Sequence, residues 1–209
     1  VEKLIKFIED KFNLKIKPDK IYKRIFFTEA KKRYCGLLPD GSIDVVGLEA
    51  VRGDWAELAK EVQEKIIEII LKEGDPQKAV RYVNKVIKEL KEGKIPLSKL
   101  VIWKTITKRI EDYEVAAAHV TAAKKLLARG IKFRVGDKIG FVIVKGPSTR
   151  ISDRAEPYFF VKDIKEIDVD YYIERQIVPA ALRILGYFGI KKHHLLSTKQ
   201  QVSLIDFFG

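Results

Sequence analysis

The stretch DWAELAKEVQEKIIEIILKEGDPQKAVRYVNKVIKELKEG, residues 54–93, sets the fold class of this chain. Asp54 with Glu57 three residues later fits a capping box that opens a helix running to Lys72. Asp75-Pro76 opens a second helix in the same way, with proline in the first turn. Its apolar residues recur at helical spacing, at Ala79, Val80, Val83, Val86, Ile87 and Leu90. Two successive amphipathic helices therefore predict a helix-rich domain.

On the N-terminal side, shorter elements are predicted. Residues 1–12 have the apolar spacing of an amphipathic helix, which begins without a capping residue. Residues 20–28 are rich in β-branched and aromatic side chains and predict a strand. The turn residues of 39–42 predict a hairpin between 34–38 and 43–47.

On the C-terminal side, helix again predominates. Residues 100–106 are predicted to be extended, and 111–129 to form a helix. Two short strands are expected within 133–145, and a helix over 171–188 with a kink at Pro179. The chain therefore belongs to the α+β class, with more helix than strand.

The charge balance favours a polyanionic partner. Lysine and arginine number 41 against 29 aspartates and glutamates, which gives a net charge of +12. Such a surplus is typical of proteins that bind nucleic acid, although an ordinary basic protein can share it. Hydrophobic residues make up 46% of the chain, which excludes an intrinsically disordered protein.

Several other classes are excluded by the sequence. No apolar run approaches the ~20 residues that span a bilayer, and the N-terminus lacks a signal-peptide pattern. A single cysteine, Cys35, excludes an internal disulfide framework and a cysteine-based metal cluster. One free cysteine fits a reducing compartment, so we expect a cytoplasmic protein without membrane contact.

A short basic motif follows the first predicted strand. Lys31, Lys32, Arg33 and Tyr34 place three cations and a phenol within four residues. If this stretch is extended, Lys32 and Tyr34 share a face. A cation beside an aromatic donor suits a duplex minor groove and its phosphates. The alternative is a solvated basic edge strand, in which lysine discourages pairing with other chains.

Several separated segments, in this order, resemble archaeal family B DNA polymerases. They are KIYKRIFFTEAKKRYCGLL and IDVVGLEAVRGDW, then LVIWKTITKRIEDYEVAAAHVTAAKKL, RVGDKIGFVIVKG and DVDYYIERQIVPAALRILGYFG. The resemblance implies the C-terminal palm end over residues 1–35, a thumb domain over 36–196 and a clamp-binding tail over 197–209. It also implies a part in DNA-directed DNA polymerisation during replication.

The resemblance implies roles for single residues. Lys32 and Tyr34 match a lysine–any–tyrosine motif that contacts the primer terminus and the minor groove, with Lys31 and Arg33 beside them. The stretch that holds Arg52 and Asp54 is interpreted as partly structural. Other positions match the thumb surface that lies along the primer and its DNA-facing helix. The further DNA contacts that the resemblance implies are Arg52 and, on the thumb, Thr107, Lys108, Tyr113, His119, Lys124 and Lys125.

The C-terminal residues fit a second recognition pattern. Gln201, Leu204, Phe207 and Phe208 match Q-x-x-aliphatic-x-x-aromatic-aromatic. One helical turn places the three apolar side chains on one face and leaves the glutamine free to hydrogen-bond. The pattern resembles the peptide by which polymerases bind the sliding clamp (PCNA). The alternative is a tail that folds back onto its own core.

No catalytic or metal-binding residue is predicted in this chain. Asp168 and Asp170 could present two carboxylates to a metal, but they precede a helix, where aspartate is a preferred cap. The resemblance begins just downstream of the family's aspartate–threonine–aspartate hairpin, and no such triplet occurs here. Mg²⁺ is therefore expected in the assembled polymerase and not on this chain.

Two origins and two functions are compatible with this pattern. The chain is either a small subunit of a split polymerase or a trimmed fragment of a longer one. In the first case a large partner subunit holds the exonuclease, fingers and catalytic palm, and residues 1–25 pack onto that palm because their helix and strand lack partners of their own. The alternative function is a stand-alone module that binds duplex DNA and the clamp without a catalytic role.

Overall fold

The computed structural model of this chain describes residues 1–196 and begins with a helix and a small sheet. Helix α1 (Glu2–Phe12) precedes three antiparallel strands in the order β1-β2-β3. Their bounds are β1 (Arg24–Phe27), β2 (Tyr34–Leu37) and β3 (Ile43–Val46). The helix has no side-chain cap at Val1, as predicted.

The predicted hairpin between β2 and β3 is confirmed. Cys35 pairs with Val45, and Leu37 with Ile43. In the connecting turn, the Ser42 amide donates to the Asp40 carboxylate at 2.9 Å. Asparagine and aspartate favour turns because they make this bond to the backbone two residues on.

Two long helices follow as expected. They are α2 (Glu57–Lys72) and α3 (Pro76–Lys91). The Asp75 carboxylate accepts from the Lys78 amide at 2.8 Å and so caps α3. The predicted apolar stripe of α3 is confirmed, since its members are all buried: Ala79, Val80, Val83, Val86, Ile87 and Leu90.

The predicted capping box of α2 is wrong. The helix starts at Glu57, and the Asp54 side chain instead binds basic residues outside the helix. The Ala56 amide at the helix start donates to the Gln176 side chain at 3.0 Å. A residue 120 positions away in the chain therefore supplies the acceptor that a local cap would give.

Strand β1 has a partner within this chain, which corrects the expectation that it lacks one. Phe26 of β1 pairs with Cys35 of β2. The Arg24 guanidinium donates to the Leu71 carbonyl at 3.1 Å, near the end of α2. Because β2 pairs on both sides, a boundary at residue 35 falls inside a strand. The sheet and helices thus form one unit, and the palm and thumb names stay predictions.

A second antiparallel sheet follows in the order β4-β5-β6. Its strands are β4 (Ile102–Thr105), β5 (Lys138–Ile143) and β6 (Ala155–Pro157). The extended stretch predicted before residue 106 is confirmed as β4. The prediction of two strands within 133–145 is wrong. This segment holds one strand, β5, which pairs with β4 and β6 and not with a second strand from the same segment.

Helix α4 (Ala118–Ala128) begins later than the predicted residue 111. A short 3-10 turn, Ile110–Asp112, stands in the place of its first turns. The Tyr113 hydroxyl, directly after this turn, accepts the backbone amide of Thr107 before it, and residues 113–117 lead to α4 without helical structure. The helix ends as predicted near Gly130, whose φ is 76°.

The C-terminal helical segment is confirmed with an irregular middle. It comprises α5 (Val169–Tyr172), a π-helix (Ile173–Ile177) and α6 (Val178–Leu185). The π-helix ends two residues before Pro179, where a proline lacks the amide of a regular helical bond. The last described helix is α7 (Lys192–Leu196).

The core is centred on α2, which packs against α3 and α6. A polar group lies inside it: the Gln63 amide nitrogen donates to the Glu49 carboxylate at 2.8 Å and to the Ala180 carbonyl at 2.9 Å. The Arg183 guanidinium donates to the other Glu49 oxygen at 3.2 Å. Buried polar groups are retained when they are hydrogen-bonded in this way. Among residues 1–196, no helix has the length and apolar character needed to cross a bilayer.

Candidate nucleic-acid interface

An open cleft of about 830 Å³ lies between the loop after β3 and the outer strand β4 of the second sheet. We call it the cationic cleft, because four basic residues line it beside a single acidic one, Asp54. Hydroxyl groups of Thr105 and Thr107 also line it. The basic residues are Arg52, Lys60, Lys104 and Lys138. The cleft therefore offers cations and hydrogen-bond donors to an anionic ligand.

Arg52 is held at the wall of the cleft by Asp54. Its Nε and Nη2 donate to the two carboxylate oxygens at 3.1 and 3.0 Å. Lys104 adds a third bond, from Nζ to Oδ2 at 3.3 Å. Burial opposes ionisation of Asp54, but the bonds from Arg52 and Lys104 together lower the pKa of its carboxyl group. Such a two-pronged pair fixes the guanidinium in orientation.

A tyrosine hydroxyl shapes the loop at the end of β4. The Tyr113 oxygen accepts the amides of Thr107 at 2.8 Å and Lys108 at 3.3 Å. It also lies 3.2 Å from the Thr107 hydroxyl, and this hydrogen bond is the largest cause of its lowered pKa. The structure thus brings together three predicted residues that span a short loop, and it places one of them, Thr107, in the cationic cleft.

His119 joins the same group from the first turn of α4. Its ring packs edge-on against Tyr113 with centroids 5.7 Å apart. Burial, and then the charge of Lys104, lower the pKa of the imidazole. A depressed pKa favours the neutral ring at physiological pH. His119 is therefore suited to hydrogen-bond a ligand and less suited to carry charge toward it.

The two lysines further along α4 differ in their contacts. The Lys125 ammonium donates to the Ala155 carbonyl at 2.9 Å, to the Asp153 carbonyl at 3.3 Å and to the Glu156 carboxylate. An ammonium has three protons, and each has an acceptor here. Lys124 is exposed to solvent. The prediction that both face DNA is untested, but their environments are not equivalent.

The basic motif before β2 adopts a turn. Lys32 has a φ of 58°, in the left-handed region, so the argument from strand alternation does not hold for it. Lys31 and Lys32 are exposed. Tyr34 lies in β2, where its ring approaches those of Tyr22 at 6.3 Å and Phe27 at 5.7 Å between centroids. Lys32 and Tyr34 are thus presented by a turn and by the strand that follows it.

The stretch from Gly47 to Asp54 has an inward and an outward part. Glu49 is 1% exposed and belongs to the buried group around Gln63. Arg52, on the far side of a 3-10 turn (Glu49–Val51), faces the cationic cleft. The interpretation of this stretch as partly structural rests on Asp54 as the cap of α2; that cap is absent, and the buried charged residue of the stretch is Glu49.

Sequence reasoning missed five side chains that line the cleft. Each of them lies in a segment that the sequence analysis placed in a helix or strand without a site. An exposed tryptophan and an exposed lysine beside the apolar residues of β4 are the signal that could have identified two of them. The five are Lys60, Trp103, Lys104, Thr105 and Lys138.

Asp168 caps α5, as predicted, and Asp170 lies in the first turn of that helix. The Asp168 carboxylate accepts from the Tyr171 amide at 3.0 Å and pairs with the Arg154 guanidinium. Within the described part of the chain, no three histidine, cysteine, aspartate or glutamate residues form a possible metal site. The predicted clamp-binding residues, Gln201, Leu204, Phe207 and Phe208, lie outside the described residues.

Comparison with known proteins gives a consistent result. A family profile for DNA polymerase family B matches residues 1–187. The chain is 53% identical to DNA polymerase 2 of Aeropyrum pernix over 207 residues, covering 99% of the chain and 26% of that protein. It is 46% identical to a DNA polymerase of Archaeoglobus fulgidus, covering 100% of the chain and 28% of that protein.

A solved structure agrees in fold. The family B DNA polymerase from Pyrobaculum calidifontis superposes with a TM-score of 0.76 at 48% identity, over 91% of this chain and 25% of that one. The chain thus spans about a quarter of the length of the relatives that it matches.

Proposed function

The chain belongs to DNA polymerase family B, and we propose that it grips the primer–template duplex as the thumb part of such an enzyme. In this proposal the catalytic aspartates lie outside the described residues, and the chain completes an active site that it does not itself contain. Residues 1–196 offer no cluster of metal ligands, so no step of nucleotidyl transfer through Mg²⁺ is assigned to them.

The observation that carries the proposal is the cationic cleft. Arg52, Lys60, Lys104 and Lys138 come from a loop, a helix and two strands, yet they line one open surface. Cations paired with phosphate give affinity without sequence preference, as copying any template requires. The net charge of +12 acts in the same direction by attracting a polyanion.

A second surface supports a place within a larger enzyme. Helix α1 buries none of its residues within residues 1–196. Leu4, Phe7 and Phe12 are 60%, 53% and 56% exposed. Contiguous exposed apolar side chains mark interaction surfaces. We place the catalytic palm of the polymerase on this face, as the partner that shields it from water.

Duplex binding tests the first part of the proposal. A fluorescently labelled primer–template is titrated with the chain at several salt concentrations, and anisotropy gives the affinity. We expect the logarithm of the binding constant to fall with the logarithm of salt, with a slope of about −0.9 per phosphate neutralised. Salt-independent or undetectable binding would contradict the assignment.

A mixing assay tests the second part. The chain is combined with a polypeptide that holds the exonuclease, fingers and catalytic palm, and primer extension is followed with Mg²⁺ present. We expect neither component alone to extend the primer and the mixture to do so. Phe7→Glu, in the exposed apolar face of α1, should abolish the gain while leaving duplex binding intact; Lys3→Gln, which also lowers the net charge by one, is the matched charge control.

The alternative, a stand-alone module that binds duplex DNA and the sliding clamp, makes a different prediction for the same assay. It requires duplex binding and no restored extension with any catalytic polypeptide. Extension by the chain on its own would exclude both readings.

A further inference from the structure

Trp103 projects into the cationic cleft from β4. It is 43% exposed, and it lies opposite Gly140 in the register of β4 and β5. A Cβ atom at position 140 would lie 2.9 Å from both Cη2 and Cζ3 of the indole. The six-membered ring therefore lies across the glycine, in space that any other residue would fill.

A second aromatic ring fixes the orientation of the indole. The ring of Tyr158 lies 5.6 Å from that of Trp103 between centroids, tilted by 58°. The same Cβ atom at position 140 would lie 2.9 Å from Cδ1 of Tyr158, so both rings share the space above the glycine. A ring held in this way loses little further freedom when a ligand packs against it.

Part of this arrangement has a structural explanation. An aromatic side chain often covers a glycine on the neighbouring strand, where it replaces the packing that the glycine lacks. That role accounts for the contact with Gly140, but it does not require the cleft that Trp103 lines to be cationic. Lys104 of β4 and Lys138 of β5 line this cleft together with Trp103, and so does Arg52 from the loop after β3.

Sites that bind single-stranded nucleic acid typically combine exposed aromatic rings with cations. Cations hold the phosphates, and the aromatic face stacks on a base whatever its identity. In a duplex the faces of the bases are stacked on one another, and only their edges are accessible in the grooves. A ligand that uses the indole face must therefore present an unpaired base.

We infer that Trp103 stacks on an unpaired base of a DNA strand whose phosphates are held by the cationic cleft. The inference rests on the proposed function, because it takes DNA as the ligand of the cleft. It adds a single-strand contact to a chain that is proposed to grip the duplex.

Fluorescence of the indole tests the inference directly. The chain has two tryptophans, so Trp55→Phe leaves Trp103 as the reporter. In this background we compare a short thymidine oligomer with an abasic oligomer of the same length. We expect both to bind in an anisotropy assay, because both carry phosphates, and only the thymidine oligomer to quench the tryptophan. Equal quenching by the two would overturn the inference.

Affinities of variants provide a second measurement. Trp103→Ala should weaken thymidine-oligomer binding by roughly 5- to 100-fold and leave abasic binding unchanged. Gly140→Ala, which displaces the indole and keeps every cation, should reduce the quenching. Phe159→Ala is the control, since Phe159 is 50% exposed and contacts Tyr158 but does not line the cleft.

The outcomes separate this inference from the proposed function. Unchanged thymidine affinity in Trp103→Ala, with a thermal melt that shows the variant folded, overturns the stacking role alone. Failure of the duplex and both oligomers to bind the parent chain overturns the proposed function as well.

Discussion

The carbonyl oxygen of Lys32 lies where a Cβ atom would stand at Gly47. Gly47 also has a φ of 65°, a conformation that is unfavourable for residues with a side chain. The contact holds the exposed turn of Lys31 and Lys32 against the loop that leads to Arg52. Gly47 thus connects two segments that are proposed to contact DNA, although the glycine itself has no proposed contact with DNA.

We expect Gly47→Ala to destabilise the fold more than Gly74→Ala. Gly74, after α2, has a similar φ of 71° but nothing within 4 Å of its Cβ position. Gly74→Ala should cost about 1–2 kcal/mol for the left-handed conformation alone. Gly47→Ala should cost at least about 1 kcal/mol more, because the backbone must move. Urea denaturation measures both, and equal losses would contradict the steric account.

Lys104→Ala and Lys125→Ala should separate ligand binding from stability. Lys104 lines the cationic cleft, so its loss should reduce the salt slope of duplex binding by about 0.9. The Lys125 ammonium is occupied by internal acceptors. Its loss should leave the slope unchanged and reduce the free energy of unfolding by about 1–3 kcal/mol. If Lys125 contacts phosphate instead, the two variants will lose slope equally.

The pH dependence of stability should carry a contribution from His119. Its folded pKa lies below the unfolded value of about 6.5, because burial and Lys104 disfavour the imidazolium. As the pH falls, His119 therefore takes up a proton in the unfolded chain at a higher pH than in the folded chain. The free energy of unfolding decreases from about pH 6.5 down through the folded pKa. His119→Gln should flatten this decrease in denaturation curves between pH 7 and 5. NMR titration should show that Lys104→Ala raises the pKa of His119.

Two aspartate caps should differ in their contribution to stability. Asp75→Ala removes an exposed cap and should cost about 1 kcal/mol. Asp168→Ala removes a cap and also leaves Arg154 without its carboxylate, in a pair whose side chains are only 15% and 18% exposed. It should cost about 3 kcal/mol, since an uncompensated buried charge is added to the lost cap. Similar losses in thermal denaturation would show that the ion pair contributes little.

The C-terminal pattern predicts a clamp contact. Replacing Phe207 and Phe208 by alanine should weaken binding to a sliding clamp by more than about 10-fold, because aromatic anchors dominate such interfaces. Duplex binding should not change. Val202→Ala, at a position that the pattern leaves open, is the matched control. Calorimetry with a purified clamp measures each affinity, and equal affinities of all three proteins would make the pattern a chance match.

Local signals in the sequence predicted much of the fold. The apolar stripe of α3 and its Asp75 cap follow from periodicity and from one side chain close in the chain. The β2–β3 hairpin follows from a turn whose residues bind their own backbone. These elements were predictable because the atoms that stabilise them lie within a few residues of one another.

The predictions that failed depended on distant residues. The amide at the start of α2 is satisfied by Gln176, which lies 120 positions further along the chain. Strand β5 was misassigned because its partner, β4, is separated from it by α4. In each case a side chain or strand far along the chain outweighed the local preference.

The sequence by itself determined the α+β class, the basic charge and the family to which the chain belongs. Only the tertiary structure decided which of its many cations share a surface. Arg52, Lys60, Lys104 and Lys138 are far apart in the chain, and they line one cleft because the second sheet folds back beside the loop after β3. Lys125 does not line that cleft, and its ammonium, which the sequence shows as charged, has three acceptors within the chain. Charge is a property of the residue, but its availability to a ligand depends on what the fold places around it.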